Sequence, residues 1–508
     1  MIPLFADLQT VNVVSAKQPV IVVVAVLYFV AVAAIGVWAA RRTRTAGDFF
    51  VAGRRLGVFP LAIAAMSATV SGFAFIGGPG FVFTAGVGAM YLVLSASVTG
   101  SMTAWALARR LRTLGERHGL LTLPDAIGIR YGSRAAQGLA AVSILIGVIG
   151  YMATNVLALG LVIDAVFGTG ITAGIWIGTG ITVAYTAAGG IIAGVYTDVL
   201  QGGMMAIASV LVFLFAIQAG GAGEGLAGIS RTVRALDPEF FAPWGKLGPT
   251  AALSLFFVFG MGALAQPHVA HKFYMLRDPR QLRWYPLVMS SALIVTLLLY
   301  FAVGVAVKAL TVRGEMAVPP TPDQSTPLFL LEFTPVLLAA LVFSGVAAAI
   351  MSTVNSFMNI GAAAVTHDLP IALGKRIQNE LQWGRISTVV ISVFAAVVAQ
   401  YSGVLVAFLG IFGWGLFAST LVPALAIGLN WPGATRAGAL ASIGAGLAVT
   451  LTLETLGYFR VYSFPAGVSV SGVALVLSLL TFLTVSWMTG REAAERVSQP
   501  ARQEEAER

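Results

Sequence analysis

Two adjacent hydroxyls inside an apolar run, Ser352-Thr353, and a second polar cluster, Ser67-Ala68-Thr69-Val70-Ser71-Gly72, are where this 508-residue sequence could do chemistry. Uncharged hydroxyls, together with carbonyls freed from a helix, are ligands that a small hard cation accepts without a full anion buried beside it. Neighbouring helix positions lie about 100° apart, so Ser352 and Thr353 reach one ion only from the edge of a helix face. The competing use of each hydroxyl is a bond back to the carbonyl four residues earlier. Asp198 is a carboxylate at the start of an apolar segment, and carboxylates within a membrane are costly and mark ion pathways. Its alternative place is the water interface. Enzyme chemistry lacks its parts. Four His, no Cys and scattered carboxylates give neither an acid–base pair nor a metal cluster.

The elements that must position these groups follow from composition. The chain is 58% hydrophobic and 10% charged, with a mean hydropathy of +0.89. A soluble domain carries about 25% charged residues, so the bilayer is the solvent here. A helix needs about 20 apolar residues to span the hydrocarbon core. Thirteen candidates run near 18–40, 59–83, 88–108, 136–166, 171–189, 198–219, 250–268, 284–310, 335–360, 386–401, 403–427, 435–456 and 468–489. The stretch 386–427 divides in more than one way, so twelve or fourteen spans stay open. The first run is too long for a signal-peptide core, and Arg41 and Arg42 follow it. Basic residues then recur in alternate loops: Arg41–Arg55, Arg109–Arg134, Lys272–Arg283 and Lys375–Arg385. By the positive-inside rule the N-terminus is outside and the C-terminus cytoplasmic. The net charge of +9 is thus a property of loops and no sign of nucleic acid. Asp164, Lys308 and Glu454 fall near helix ends, from which they can reach the interface.

Three spans are not plain apolar rods. The second carries the Ser67–Gly72 cluster and then Gly77-Gly78-Pro79-Gly80. The seventh carries Gly260-Met261-Gly262 and Gln266-Pro267-His268. The ninth carries Met351-Ser352-Thr353-Val354-Asn355-Ser356. Such stretches are expected to break their helices. An open backbone ladder in hydrocarbon costs several kcal/mol per group unless the freed groups line a cavity or meet a ligand. Interrupted helices at matching places in two halves point to a transporter binding site. Close helix packing through small residues is the alternative use. The second and seventh spans each open a group of five, near 59–219 and 250–427. This predicts an all-α membrane protein of two inverted five-helix repeats plus peripheral helices. It forms one transporter domain over 1–490 with a short charged cytoplasmic tail at 491–508. A midplane cavity between spans two, four, seven and eleven is expected to hold a solute, with Phe73, Tyr151, Phe259 and Gln266 as lining. His268 and His271 could relay protons, though His271 beside Lys272 reads better as part of a solvated loop.

At these places the sequence resembles the sodium:solute symporter family, most of all its bacterial sodium/proline branch. Five segments carry the likeness in order: Asp48–Gly57, Leu121-Thr122-Leu123-Pro124-Asp125, Gly189-Gly190 through Tyr196–Gln201, Gln266-Pro267-His268 with Lys272-Phe273, and Ala348–Thr353. The resemblance implies a leucine-transporter-type fold and sodium-coupled symport of a small organic solute by alternating access, in a cell membrane of the bacterial inner-membrane kind. It implies Na+ as the coupling ion, held by the carbonyls of Ser67, Val70 and Ala349 and the hydroxyls of Ser352 and Thr353. Asp198 then stands on the intracellular side of the sodium route. Departures matter. Thr69 stands where the proline branch has Asp, Phe259 where it has Trp, and Ala263 where it has Tyr. Proline is therefore not carried over, and an amino acid or monocarboxylate is the expected class. Proton coupling on the same fold is the second reading. A transport-deficient membrane sensor ranks last. Oligomeric state is left open.

Overall fold

Runs of Leu, Val, Ile, Ala and Phe longer than the hydrocarbon is thick must satisfy their backbone internally, and a helix does so within one segment. A computed structural model describes residues 19–54, 56–221, 223–403, 406–462 and 468–506. Arg55 and residues 507–508 of the tail, both part of the sequence reading, lie outside the described residues. The principal helices are α1 (Pro19–Ala40), α2 (Val58–Thr69), α3 (Gly78–Ala85), α4 (Met90–Thr103), α5 (Arg134–Phe167), α6 (Ile171–Ala216), α7 (Gly248–Ala263), α8 (Tyr285–Val312), α9 (Val336–Ala363), α10 (Glu380–Tyr401), α11 (Val406–Leu421), α12 (Arg436–Tyr458) and α13 (Val470–Ala506). Among the described residues the only β pairing is a bridge between Leu56 and Leu276. It ties the chain entering α2 to the chain leaving the α7 region.

Eleven helical stretches among the described residues are long and apolar enough to cross a membrane. The difference from thirteen has visible causes. Ile171–Gly220 is 50 residues long, about 75 Å at 1.5 Å per residue and more than twice a hydrocarbon core. It bends at Gly190, whose φ of 56° and ψ of −148° are not helical. A Cβ there would lie 2.5 Å from a Phe49 ring carbon, so glycine answers both the dihedral and the contact. The second and third expected spans are also divided differently, because α2 stops after 12 residues and a new apolar stretch runs from Phe73 to Ser95.

The helix breaks agree with the sequence at two places and differ at the third. α2 ends in extended backbone at Val70, and α7 ends three residues before Gln266, which is extended. The ninth span does not break. α9 runs unbroken from Val336 to Ala363 through Met351–Ser356. Its hydroxyls bond back along the helix or across to α2, so its polarity costs no backbone bond. α9 is the centre of the molecule and packs on α1, α2, α5 and α6. The α12 and α13 helices pair with each other and lean on α11.

Candidate functional site

The site forms where the broken end of α2 meets the unbroken middle of α9. Beyond Thr69, the amides that would continue the α2 ladder turn elsewhere. Gly72 N–H donates to Asn155 Oδ1 at 2.9 Å, and Phe73 N–H donates to Ser71 Oγ at 3.2 Å. The chain re-enters helix at Phe73–Gly77 and continues as α3, where Pro79 has no N–H to give and the Phe75 carbonyl four residues earlier instead accepts from Thr326 Oγ1 at 2.8 Å. The carbonyls just before the break are thereby released from their usual donors. Facing them, Thr353 Oγ1 donates to Ala68 O at 2.9 Å or to Ala349 O at 3.1 Å. Ser67 Oγ donates to Ser352 Oγ at 3.0 Å. Ser67, Ser352, Thr353 and Ala349 are fully buried, and Val70 nearly so.

All five residues expected around an ion thus sit at one helix crossing. The structure adds the Ala68 carbonyl, which the sequence reading did not name. Thr69 does not join them. Its hydroxyl donates to Ala65 O at 2.7 Å. The residues present are hydroxyl and carbonyl oxygens with no nitrogen or sulfur among them, a donor set that suits sodium.

Asp198 is neither at a helix start nor in water. It lies inside α6, fully buried, with Lys272 Nζ 3.1 Å from its Oδ2. Lys272 also donates to Ser356 Oγ at 3.1 Å and is 1% exposed. The sequence reading counted Lys272 as a loop charge and His271 as solvated. Both are corrected. The backbone break at Gln266 turns Pro267–Met275 back into the protein, so side chains of an apparent loop become core. His271 is buried, its Nε2 lying 2.8 Å from Leu121 O. Lys308 pairs with Asp237 at 2.9 Å, and Asp164 accepts the Gly170 N–H at 2.6 Å.

On the other side of the α2 break, the four residues expected to meet a solute converge. Phe73 stacks on Phe259 at 5.8 Å between centroids, and Phe259 stacks on Trp414 at 5.0 Å. Tyr151 shares a hydrogen bond of 3.3 Å with Ser71 and lies 6.4 Å from the Trp414 ring. Gln266 Nε2 donates to Gly262 O at 3.3 Å and Trp414 O at 3.4 Å. Three residues complete the cluster beyond those four: Trp414, Phe357 and His268, whose ring is 4.6 Å from Phe357 and 6.2 Å from Tyr151. Gln266 Oε1, Trp414 Nε1 and both His268 nitrogens are buried without a protein partner. Such groups are expensive unless a ligand or water meets them. The partnerless His268 nitrogens sit among rings, which does not make a relay chain. Trp414 had a signal in sequence, since Gly413 and Gly415 flank it. A Cβ on Gly413 would lie 2.8 Å from Tyr151 Cβ. Asn155, which the sequence reading did not name, is an amide in an apolar run.

The Leu121–Asp125 segment has a different task. Thr122 and Asp125 form a reciprocal cap on the helix Leu123–Tyr131. Burial raises the Asp125 carboxyl, but the His367 imidazole and the Leu121 and Thr122 N–H groups outweigh this and hold it below its ordinary range.

Known proteins share this architecture. A Na+-coupled sialic acid symporter superposes with a TM-score of 0.75 at 17% identity, covering 93% of this chain and 98% of its own. A nucleobase-cation-symport-1 family transporter superposes with a TM-score of 0.54 at 15% identity, covering 88% and 95%. These likenesses show the fold, which is of the leucine-transporter type. In sequence, the osmoregulated proline transporter of Bacillus subtilis is 28% identical over 476 residues, 92% of this chain and 94% of its own length. The sodium/pantothenate symporter of Escherichia coli is 26% identical over 478 residues, 90% and 94%. The sodium/proline symporter of the same organism is 28% identical over 467 residues, 89% and 91%. The sodium:solute symporter family matches residues 49–446. A multi-pass membrane protein with these breaks and this match over most of its length belongs to the sodium:solute symporter family, whose work is sodium-coupled symport of a small solute.

Proposed function

We propose that one sodium ion binds where α2 breaks against α9, with the Ser67, Val70 and Ala349 carbonyls and the Ser352 and Thr353 hydroxyls as ligands. The observation that carries the reading is the 2.9 Å contact from Thr353 Oγ1 to Ala68 O. It brings the one hydroxyl-bearing face of α9 against carbonyls that the break has released. In place of these protein–protein bonds, sodium would take the hydroxyl lone pairs and the carbonyls together and so draw α2 and α9 to a fixed spacing. That spacing shapes the aromatic cluster next door, because Ser71, Gly72 and Phe73 belong to the same break. Ion and solute are thereby linked through one short segment, and the linkage is reciprocal.

The solute lies among Phe73, Tyr151, Phe259 and Gln266, with Trp414 and His268. Rings supply apolar contact, and the unpaired Gln266 Oε1 and Trp414 Nε1 supply an acceptor and a donor. A small amino acid or monocarboxylate fits this reading, in keeping with relatives named for proline and pantothenate. Asp198 lies beside the ion site on the route toward the cytoplasm. The core repeats extend over about 59–219 and 250–427 within one transporter domain, and the work is transport, not catalysis. The protein sits in a bacterial inner membrane with its N-terminus outside and its C-terminus in the cytoplasm, as the basic loops suggest.

Proteoliposome uptake tests this. A sodium gradient should drive accumulation of one solute from a panel of amino acids, short carboxylates and sugars, and choline should not replace sodium. Unchanged sodium dependence after Ser352→Ala with Thr353→Ala would sink the ion-site assignment.

A further inference from the structure

Lys272 sits where a cation belongs. Its ammonium is 3.1 Å from Asp198 Oδ2 and 3.1 Å from Ser356 Oγ, with both charged side chains sealed from solvent. The pair adjoins the ion site, because Ser352 neighbours the same Asp198 carboxylate and accepts a hydrogen bond from Ser67. Two further acceptors are buried there without a donor, Asp198 Oδ1 and Gln201 Oε1. They belong to positions three apart on α6, which share a helix face. Gln201 Nε2 is engaged with the Tyr28 hydroxyl at 2.8 Å, which leaves its oxygen free. Without the ammonium, what remains is a carboxylate, an amide oxygen and two hydroxyls facing one another. That is an oxygen set for a hard monovalent cation.

We propose that Lys272 is a tethered cation filling a second cation site at Asp198, so that this chain binds one sodium where the emptied site would bind a second. This rests on the reading of Ser352 and Thr353 as the first site. The physical reason is charge balance. A fully buried carboxylate needs a partner, and an ammonium is a compact point charge that meets this need without leaving the protein. Sodium moving inward from Ser352 meets Asp198 already neutralised, so it passes without being trapped. The lysine is thus a determinant of how many sodium ions move per solute.

The test is equilibrium binding of radioactive sodium to the purified full chain, which needs no knowledge of the solute. Wild type should bind one sodium per chain. Lys272→Met should bind two, and Lys272→Met with Asp198→Asn should return to one. Lys272→Met on a Thr353→Val background, which keeps the Ser352 hydroxyl beside Asp198, should still bind one, at Asp198, at a sodium concentration where Thr353→Val alone binds none. A Lys272→Met protein that binds a single sodium overturns the proposal. So does one that stays unfolded in sodium-rich buffer while the Lys272→Met, Asp198→Asn protein folds, because sodium then cannot replace the ammonium. Wild type that binds no sodium, or whose binding survives Ser352→Ala with Thr353→Ala, instead overturns the first-site reading.

Discussion

The Thr353 hydroxyl of α9 reaches the Ala68 carbonyl at the broken end of α2 across 2.9 Å, joining positions 285 residues apart. One hydroxyl therefore bridges a helix that breaks and a helix that does not. The rigid α9 sets where the oxygens of the flexible partner must come, and the preorganisation this gives is half of any ion site.

Thr353→Val keeps the shape and removes the oxygen. Hydrogen bonds to charged groups contribute about 1.5–3 kcal/mol, so sodium affinity should fall about tenfold or more. Titrating sodium against thermal stability reads this directly, since an ion that binds only the folded protein stabilises it by RT ln(1 + c/Kd) at sodium concentration c. An unchanged midpoint in that titration removes Thr353 from the ligand set.

Asp198→Asn should cost more than Asp198→Asn combined with Lys272→Met. Leaving one member of a buried ion pair alone costs about 3–5 kcal/mol, whereas replacing both with neutral groups is far milder. Melting temperatures of the two variants and wild type, compared in choline buffer, decide it. Equal losses would mean the pair is not coupled.

Gln266→Leu removes the amide but keeps most of the volume. The solute should bind about tenfold or more weakly while the sodium-only stabilisation stays at its wild-type value. Loss of both together would show that Gln266 supports the α7 break and not the solute.

Asp323, between α8 and α9, offers a pH test. Burial pushes its carboxyl up to about 6 against the lowering effect of the Val406 N–H, which it accepts at 2.9 Å. A carboxyl raised in the fold binds its proton more tightly there than in the unfolded chain. Its stabilising contribution is thus full below about pH 4 and is lost as pH rises to about 6. Two pKa units correspond to about 3 kcal/mol. Asp323→Asn should flatten stability over that window, and an unaltered pH profile would refute the assignment.

Gly190→Ala should destabilise by about 1–3 kcal/mol, because alanine must adopt φ near 56° and meet the Phe49 ring. Denaturation in mild detergent measures it. A neutral outcome would mean that α6 straightens at no cost.

Much of this was written in the chain. Gly72, Pro79 and Pro267 mark the breaks because glycine and proline act on the local backbone, and Ser352-Thr353 stands out because hydroxyls are rare in such a run. Phe73, Phe259 and Gln266 were legible only as polar or aromatic residues beside those breaks, and Tyr151 only as an aromatic in a span expected to line the cavity. Phe357 was not, since one more aromatic in a span reads as packing until its neighbours are known, and Trp414 carried only its flanking Gly413 and Gly415 as a signal. Met351–Ser356 misled because polar residues look like a break, yet a hydroxyl can bond back four residues and leave the helix whole.

The sequence by itself determined a membrane solvent, the apolar segments and two of the places where they open, because hydrophobicity and backbone chemistry are local. The tertiary structure decided what meets at the openings. It turned Lys272 from a loop charge into the partner of Asp198, and it set Thr353 against Ala68 rather than its own helix alone. Both outcomes depend on distances between segments 74 and 285 residues apart. Such distances are fixed by how helices pack around α9, and no local pattern carries them.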